Sequence, residues 1–176
     1  MSKKRLIILV GPGASGKDFF AAYLRNKGYK KAKDYTTRPP RKNMEDDYTF
    51  VKSIPNSDIY YLFEVANKRK WVYGYSISEM INADFVILPP DAILSAKQLL
   101  MANTNRRTII VYFNIPESKR LERLLRRGDN DYKRRLESDR FDFKNFSNKV
   151  KPHITVENEL FKPDVLMKLI NELQNT

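Results

Sequence analysis

Short, nearly unbroken apolar runs alternate along this chain with longer stretches whose apolar residues recur at helical spacing. Leu6-Ile7-Ile8-Leu9-Val10, Phe85-Val86-Ile87-Leu88 and Thr108-Ile109-Ile110-Val111-Tyr112-Phe113 are runs of the first kind. They are short for helices and lack the alternation of a half-exposed strand, so they predict strands buried on both faces. Residues 16–26, 92–103, 117–127, 132–145 and 162–174 predict helices, with Leu121, Leu124 and Leu125 as the apolar stripe of the third. Gly28 stands where the first helix needs a C-cap. A short strand at 29–33, a short helix at 76–83 and a last strand at 154–156 complete the pattern. Strands alternating with helices predict an α/β fold, three layers deep, with a parallel central sheet.

Between residues 48 and 75 the pattern changes. Tyr48–Val51, Tyr60–Val65 and Lys70–Tyr73 are aromatic and β-branched, with turn residues between them. They predict a small β-rich lobe inserted in the α/β core. The preceding segment, 34–47, is polar and contains prolines, and is not expected to form a regular core element.

Composition then narrows the chemistry. A chain of 176 residues fits one domain. It has no cysteine, which excludes a disulfide framework and thiolate metal sites. It has one histidine, His153, beside Pro152 at the start of a strand, which argues against a histidine metal site or a Ser–His triad. No apolar run approaches the ~20 residues of a membrane span. The basic start Met1–Arg5 leads straight into the first strand and does not read as a signal peptide, so a soluble, cytoplasmic protein is expected. The formal charge of +12 points to anionic partners, either phosphorylated small molecules or nucleic acid. No nucleic-acid-binding motif is visible, which favours the small molecules.

The first strand enters Gly11-Pro12-Gly13-Ala14-Ser15-Gly16-Lys17-Asp18, and a helical pattern follows at once. Strand, glycine-rich turn and helix is the setting that gives a G-x-x-x-x-G-K match its meaning. Consecutive backbone N–H groups of such a turn form an anion nest, and the helix adds the positive end of its dipole. Lys17 adds a charge that can reach a terminal phosphate. The eighth residue is ordinarily Ser or Thr, whose hydroxyl holds Mg²⁺; here it is Asp18, a carboxylate that can also ligate that cation.

A second constellation follows. In Thr36-Thr37-Arg38-Pro39-Pro40-Arg41 the prolines pre-set an extended backbone, which splays two guanidinium groups suited to bidentate phosphate binding. Tyr48, Tyr73 and Tyr75 offer hydroxyls, and Gly74 allows close approach. Glu64 offers a carboxylate to adjacent N–H groups of a base edge. Asp91 follows a core strand, at the sheet end where α/β folds place ligands.

The glycine-rich turn, TTRPPR, DYTFV, FEV and VYGY, in this order, resemble guanylate kinase from about residue 5 to residue 160. The resemblance implies a P-loop nucleoside monophosphate kinase of one domain, 1–176. Its core would be 1–33, 84–122 and 136–176, its NMP-binding lobe 34–83 and its lid 123–135. It implies transfer of the ATP γ-phosphoryl group to GMP or dGMP with Mg²⁺, in a monomer or homodimer. ATP would meet Gly11, Gly13, Ala14, Ser15, Gly16, Lys17 and Asp18, with Asp18 also the metal ligand. Arg38, Arg41, Tyr48 and Tyr73 would hold the acceptor phosphate; Glu64 would read the guanine edge, with Asp91, Gly74 and Tyr75 nearby. Lys17, Arg38 and the lid arginines Arg123, Arg127 and Arg135 would be catalytic, with Arg134 an alternative to Arg135. Without the resemblance these lid arginines read as a solvated helix face pairing with Glu122 or Asp131.

Three positions depart from the family's pattern: Asp18, Asp34 in place of a serine near the guanine, and Tyr75 in place of a small hydroxyl residue. An ionised Asp34 facing guanine O6 would be two acceptors face to face. Two other functions remain open: a ribose bisphosphate or other nucleotide kinase of the same fold, and a catalytically silent guanylate-kinase-like binding module.

Overall fold

The structure, a computed structural model, describes residues 5–40, 48–54, 59–64 and 71–175, with all their side chains except those of 59–64, 99 and 103. The first strand, β1 (Leu6–Val10), has no exposed surface at any position. Its odd and even residues therefore face two different cores. Leu6, Ile8 and Val10 join one cluster, and Ile7 and Leu9 the other. Burying such side chains on both faces contributes about 1.5–3 kcal/mol each, which is why the polar alternation of a surface strand is missing here.

After β1 come α1 (Lys17–Asn26), β2 (Asp34–Thr36), β3 (Tyr48–Phe50), β4 (Ile59–Glu64), β5 (Val72–Ser76) and α2 (Ile77–Asn82). Then follow β6 (Phe85–Ile87), α3 (Ala92–Thr104), β7 (Thr108–Phe113), α4 (Glu117–Arg126), α5 (Tyr132–Phe143), α6 (Phe146–Lys149), β8 (Ile154–Val156) and α7 (Pro163–Gln174). The central sheet has the order β6-β1-β7-β8, and every pairing in it is parallel. Helix α1 packs Phe20, Ala21 and Leu24 on one face, beside Leu166, Met167 and Ile170 of α7. On the other face α3 supplies Ala92, Ile93, Ala96 and Leu100. The result is the expected three-layer α/β/α sandwich. Among the described residues no helix is long and apolar enough to cross a membrane.

A second sheet, β3-β2-β5-β4, forms the aromatic lobe. Its β2–β5 and β4–β5 pairings are antiparallel and its β2–β3 pairing is parallel. The segment from residue 34, expected to be irregular, thus begins with a strand in the middle of this sheet. Tyr35 and Thr36 suit a pleated surface, and tertiary pairing with Gly74 and Tyr73 supplies the ladder. The short strand expected at 29–33 is reduced to one bridge, Lys31 with Phe85.

Helices α4 and α5 form a hairpin against the glycine-rich turn. Leu124 and Leu136 pack on Ala14, with Leu121 and Tyr132 at the margin. This small third core holds α4 and α5 to the turn.

Candidate active site

The turn after β1 has the backbone geometry of an anion nest. Ala14 (φ 59°) and Gly16 (φ 96°) are both left-handed, which rotates successive N–H groups toward one side. Close packing dictates its glycines. A Cβ on Gly11 would sit 2.8 Å from Ser15 Oγ and 2.9 Å from the Phe113 carbonyl oxygen. A Cβ on Gly16 would lie 3.1 Å from the Phe161 ring, which itself packs edge-on against Phe20 and Phe113. Ser15 is fully buried within the turn. Lys17 Nζ donates to the Pro12 carbonyl at 3.2 Å, folding the charge back over the loop. Asp18 is exposed in the first turn of α1.

The loop is braced from the α4–α5 hairpin. Arg123 donates to Ala14 O and Glu159 O, both at 2.9 Å, so its guanidinium clasps the turn from outside. Arg120, buried, donates to Gly13 O at 3.3 Å and Ile115 O at 3.2 Å. It also pairs with Asp139 at 2.7 Å, and the same Asp139 oxygen accepts the Gly13 N–H at 3.0 Å. Arg135 pairs with Asp129 and Arg134 with Asp131. Arg127 caps α4 and is exposed.

A cleft of about 230 Å³ joins this loop to the lobe. Gly11, Gly13 and Lys17 stand on one side and Tyr48, Trp71, Tyr73 and Tyr75 on the other. Arg134, Arg135, Asp139 and Asp142 of α5 form a third wall. Tyr48 and Tyr73 meet edge to face, their ring centres 6.1 Å apart. Burial, then Asp34, Tyr73 and Asp18, push the Tyr48 hydroxyl's pKa far up, with Arg38 opposing, so that hydroxyl stays a donor.

Of the residues picked out by sequence, Gly11, Gly13, Lys17, Tyr48, Tyr73, Tyr75 and Arg135 line this cleft together. Arg38 is buried beneath the lobe, with its guanidinium 5.5 Å from the Tyr48 ring and donating to Pro39 O. Asp34 is buried in a 2.8 Å ion pair with Lys31, whose ammonium lies over the Tyr48 ring, and it does not line the cleft. Tyr75 turns its hydroxyl to the Ile87 carbonyl, so it presents a ring wall. Gly74 is buried in β5, and Asp91 is exposed at the start of α3. Arg41 and the Glu64 side chain lie outside the described residues. Sequence reasoning missed Arg120, Asp139, Asp142, Phe161 and Trp71. The first two were open to it: Arg120 lies one helical turn before Arg123, and Asp139 one turn after Arg135.

A divalent cation prefers oxygen ligands, and Asp18 is an exposed carboxylate beside Lys17, so the donor chemistry fits Mg²⁺. Among the described residues no group of three or more His, Cys, Asp or Glu is placed to hold a metal by itself. A cation here would rest on Asp18, nucleotide oxygens and water.

The parallel four-stranded sheet flanked by helices, with the glycine-rich turn after its first strand, is consistent with a P-loop kinase fold. Among solved structures, the guanylate kinase from Anaplasma phagocytophilum is similar over 100% of this chain and 89% of that one, at 19% identity and a TM-score of 0.64. An uncharacterized protein from Eubacterium ventriosum ATCC 27560 covers 98% of this chain and 99% of its own at 14% identity and a TM-score of 0.49. No protein-family model and no curated protein matches the sequence. The chain has a guanylate kinase-like fold.

Proposed function

We propose that this protein transfers the γ-phosphoryl group of ATP to a nucleoside monophosphate, GMP or dGMP. The observation that carries the reading is the single cleft in which Lys17 and the glycine-rich turn face the tyrosines of the lobe. Donor and acceptor need to meet in line, and a cleft with a phosphate nest on one side and hydroxyl donors on the other holds them so.

The triphosphate lies on the N–H groups of the turn, with Lys17 drawn from Pro12 O to its terminal phosphate. The acceptor phosphate meets the Tyr48 and Tyr73 hydroxyls, with Arg38 behind Tyr48 and Arg41 following in the same segment. Asp18 would hold a Mg²⁺ ion, whose charge would offset that of the phosphates. Arg134 and Arg135, already on the cleft wall, supply further positive charge where the transferred group carries its negative charge. The protein contributes position and charge, and needs no covalent intermediate. Glu64 is the base-reading carboxylate in this scheme. Asp34, buried in its pair with Lys31 and away from the cleft lining, does not stand against guanine O6.

The test is a panel of ribo- and deoxyribonucleoside monophosphates with ATP and Mg²⁺, run with wild type and Lys17→Ala. ADP formation that depends on GMP or dGMP and disappears in the variant is expected. Turnover confined to other monophosphates, or to a phosphorylated sugar, overturns the guanine reading. ATP binding without any turnover overturns the kinase reading in favour of a binding module.

A further inference from the structure

A second cavity lies at the opposite end of the sheet from the cleft. Arg5 precedes β1 and Gly11 follows it, so the strand separates the two places by roughly 20 Å. This cavity, of about 280 Å³, is walled by Arg5, Lys97, Arg106, Arg107 and His153, with Met101 and Thr108. Three elements bring the basic groups together: the entry to β1, the outer face of α3 and the turn before β7. His153 comes from the entry to β8.

No carboxylate lines this cavity. Among the described residues none pairs with Arg5, Lys97 or Arg107 either. Arg106 donates to Met80 O and Ile81 O, which fixes it in the wall. Arg5 is held by its backbone, whose N–H and carbonyl both bond to the Gln174 side-chain amide. His153 is held too: its Nδ1 accepts the Ile110 N–H at 3.0 Å and its own N–H donates to Ile110 O. With Nδ1 engaged, the neutral ring carries its proton on Nε2, and that N–H is the donor left for a ligand. Burial, then Lys97 and Arg5, hold the imidazole's pKa below its usual value.

We infer that this cavity is a second anion site, built for a small, multiply charged phosphate compound. Like charges converge on a concavity at a cost in repulsion, and a polyanion converts that cost into binding. Guanidinium forks and an ammonium match phosphate oxygens, and the histidine Nε2–H adds a directed donor. The concave shape favours a compact phosphate over an extended nucleic acid backbone. The site also accounts for part of the +12 charge that the cleft leaves unexplained.

The protein's single histidine makes the test direct. A long-range ¹H–¹⁵N correlation spectrum of the labelled full chain reports His153 alone. Inorganic pyrophosphate is titrated at constant ionic strength. The expected result is a saturable shift of the Nε2 resonance and an imidazole pKa raised by about one unit, which by linkage means roughly tenfold tighter binding to the imidazolium form. The response persists in Lys17→Ala, whose glycine-rich turn is disabled. It weakens at least tenfold in Lys97→Ala with Arg107→Ala, two surface positions whose fold is checked by melting. An absent or non-saturating response overturns the inference, as does one lost in Lys17→Ala but kept in the double variant. A response given only by a single-stranded oligonucleotide assigns the surface to nucleic acid and overturns it equally.

Discussion

Asp139 stands on the glycine-rich turn in the position of an anion, and its replacement separates structure from binding. One carboxylate oxygen accepts both the Gly13 N–H at 3.0 Å and Arg120 at 2.7 Å. Arg120 is 5% exposed and the Asp139 side chain 16%. Deleting one partner of a buried pair costs about 3–5 kcal/mol. Arg120 retains Ile115 O, Gly13 O and a Glu117 oxygen at 4.0 Å, which brings Asp139→Ala to about 2–3 kcal/mol. Asp139→Asn keeps a neutral acceptor for both donors and costs about 1 kcal/mol. In a chain of this size that is a melting point lower by about 2–4 °C. Binding moves the other way. A phosphate charge about 5 Å from the carboxylate is opposed by about 3 kcal/mol at an effective dielectric constant of 20. Arg120 offsets most of this, and about 1 kcal/mol remains. Asp139→Asn therefore melts lower and binds ATP about fivefold more tightly. Melting curves and calorimetric titration with ATP, on wild type and the Asn variant, read the two effects separately. A variant that melts lower and binds ATP no better than wild type would refute the electrostatic account and leave Asp139 a purely structural brace.

Two further outcomes follow from the same cleft. The Asp142 carboxyl titrates above its usual value, because burial raises it while the Ser138 hydrogen bond lowers it and Asp91 and Asp139 add repulsion. A carboxyl whose folded pKa is raised makes the native state hold its proton longer than the unfolded chain, so its contribution to stability falls as pH rises from the unfolded value through the folded one. Asp142→Asn should thus melt higher than wild type at neutral pH, with the gain gone below about pH 3.5, where both states are protonated; an equal gain at both pH values would mean better packing and no charge effect. Gly11→Ala places a Cβ within 2.9 Å of the Phe113 carbonyl oxygen, backbone that cannot swing aside. Overpacking of this kind costs about 1–3 kcal/mol. A loss of several degrees in melting and much weaker ATP binding are expected, and wild-type values for both would contradict the close packing.

Local pattern made the core legible. β1, and β7 after Thr108, are apolar because helices cover both faces, and such runs announce themselves without any knowledge of the partner strand. The glycine-rich turn was equally plain, since its glycines answer to a left-handed φ at Gly16 and to contact with Phe113 at Gly11. Strand β2 was hidden, because three residues ending in Thr36 carry little pattern and their place depends on Tyr73 and Gly74, nearly forty positions away.

The site was legible only in part, and the division has a physical cause. Groups that would touch a ligand come in short sequence motifs, because a turn or one strand presents them together; Lys17, Tyr48 and Tyr73 are of this kind. Groups that hold the loop in shape reach it from far along the chain. Arg123 meets Ala14 across 109 positions, and Asp139 meets Gly13 across 126. Arg123 shows the consequence. The resemblance to guanylate kinase places it among the lid arginines, yet charge alone does not say whether its fork meets phosphate or carbonyl oxygen. Packing decides: Leu124, its neighbour on α4, is fully buried against Ala14, which brings the Arg123 fork onto the Ala14 and Glu159 carbonyls. In this arrangement Arg123 shapes the turn, while Arg134 and Arg135, whose partners Asp131 and Asp129 lie in or beside the loop between α4 and α5, stand on the cleft wall.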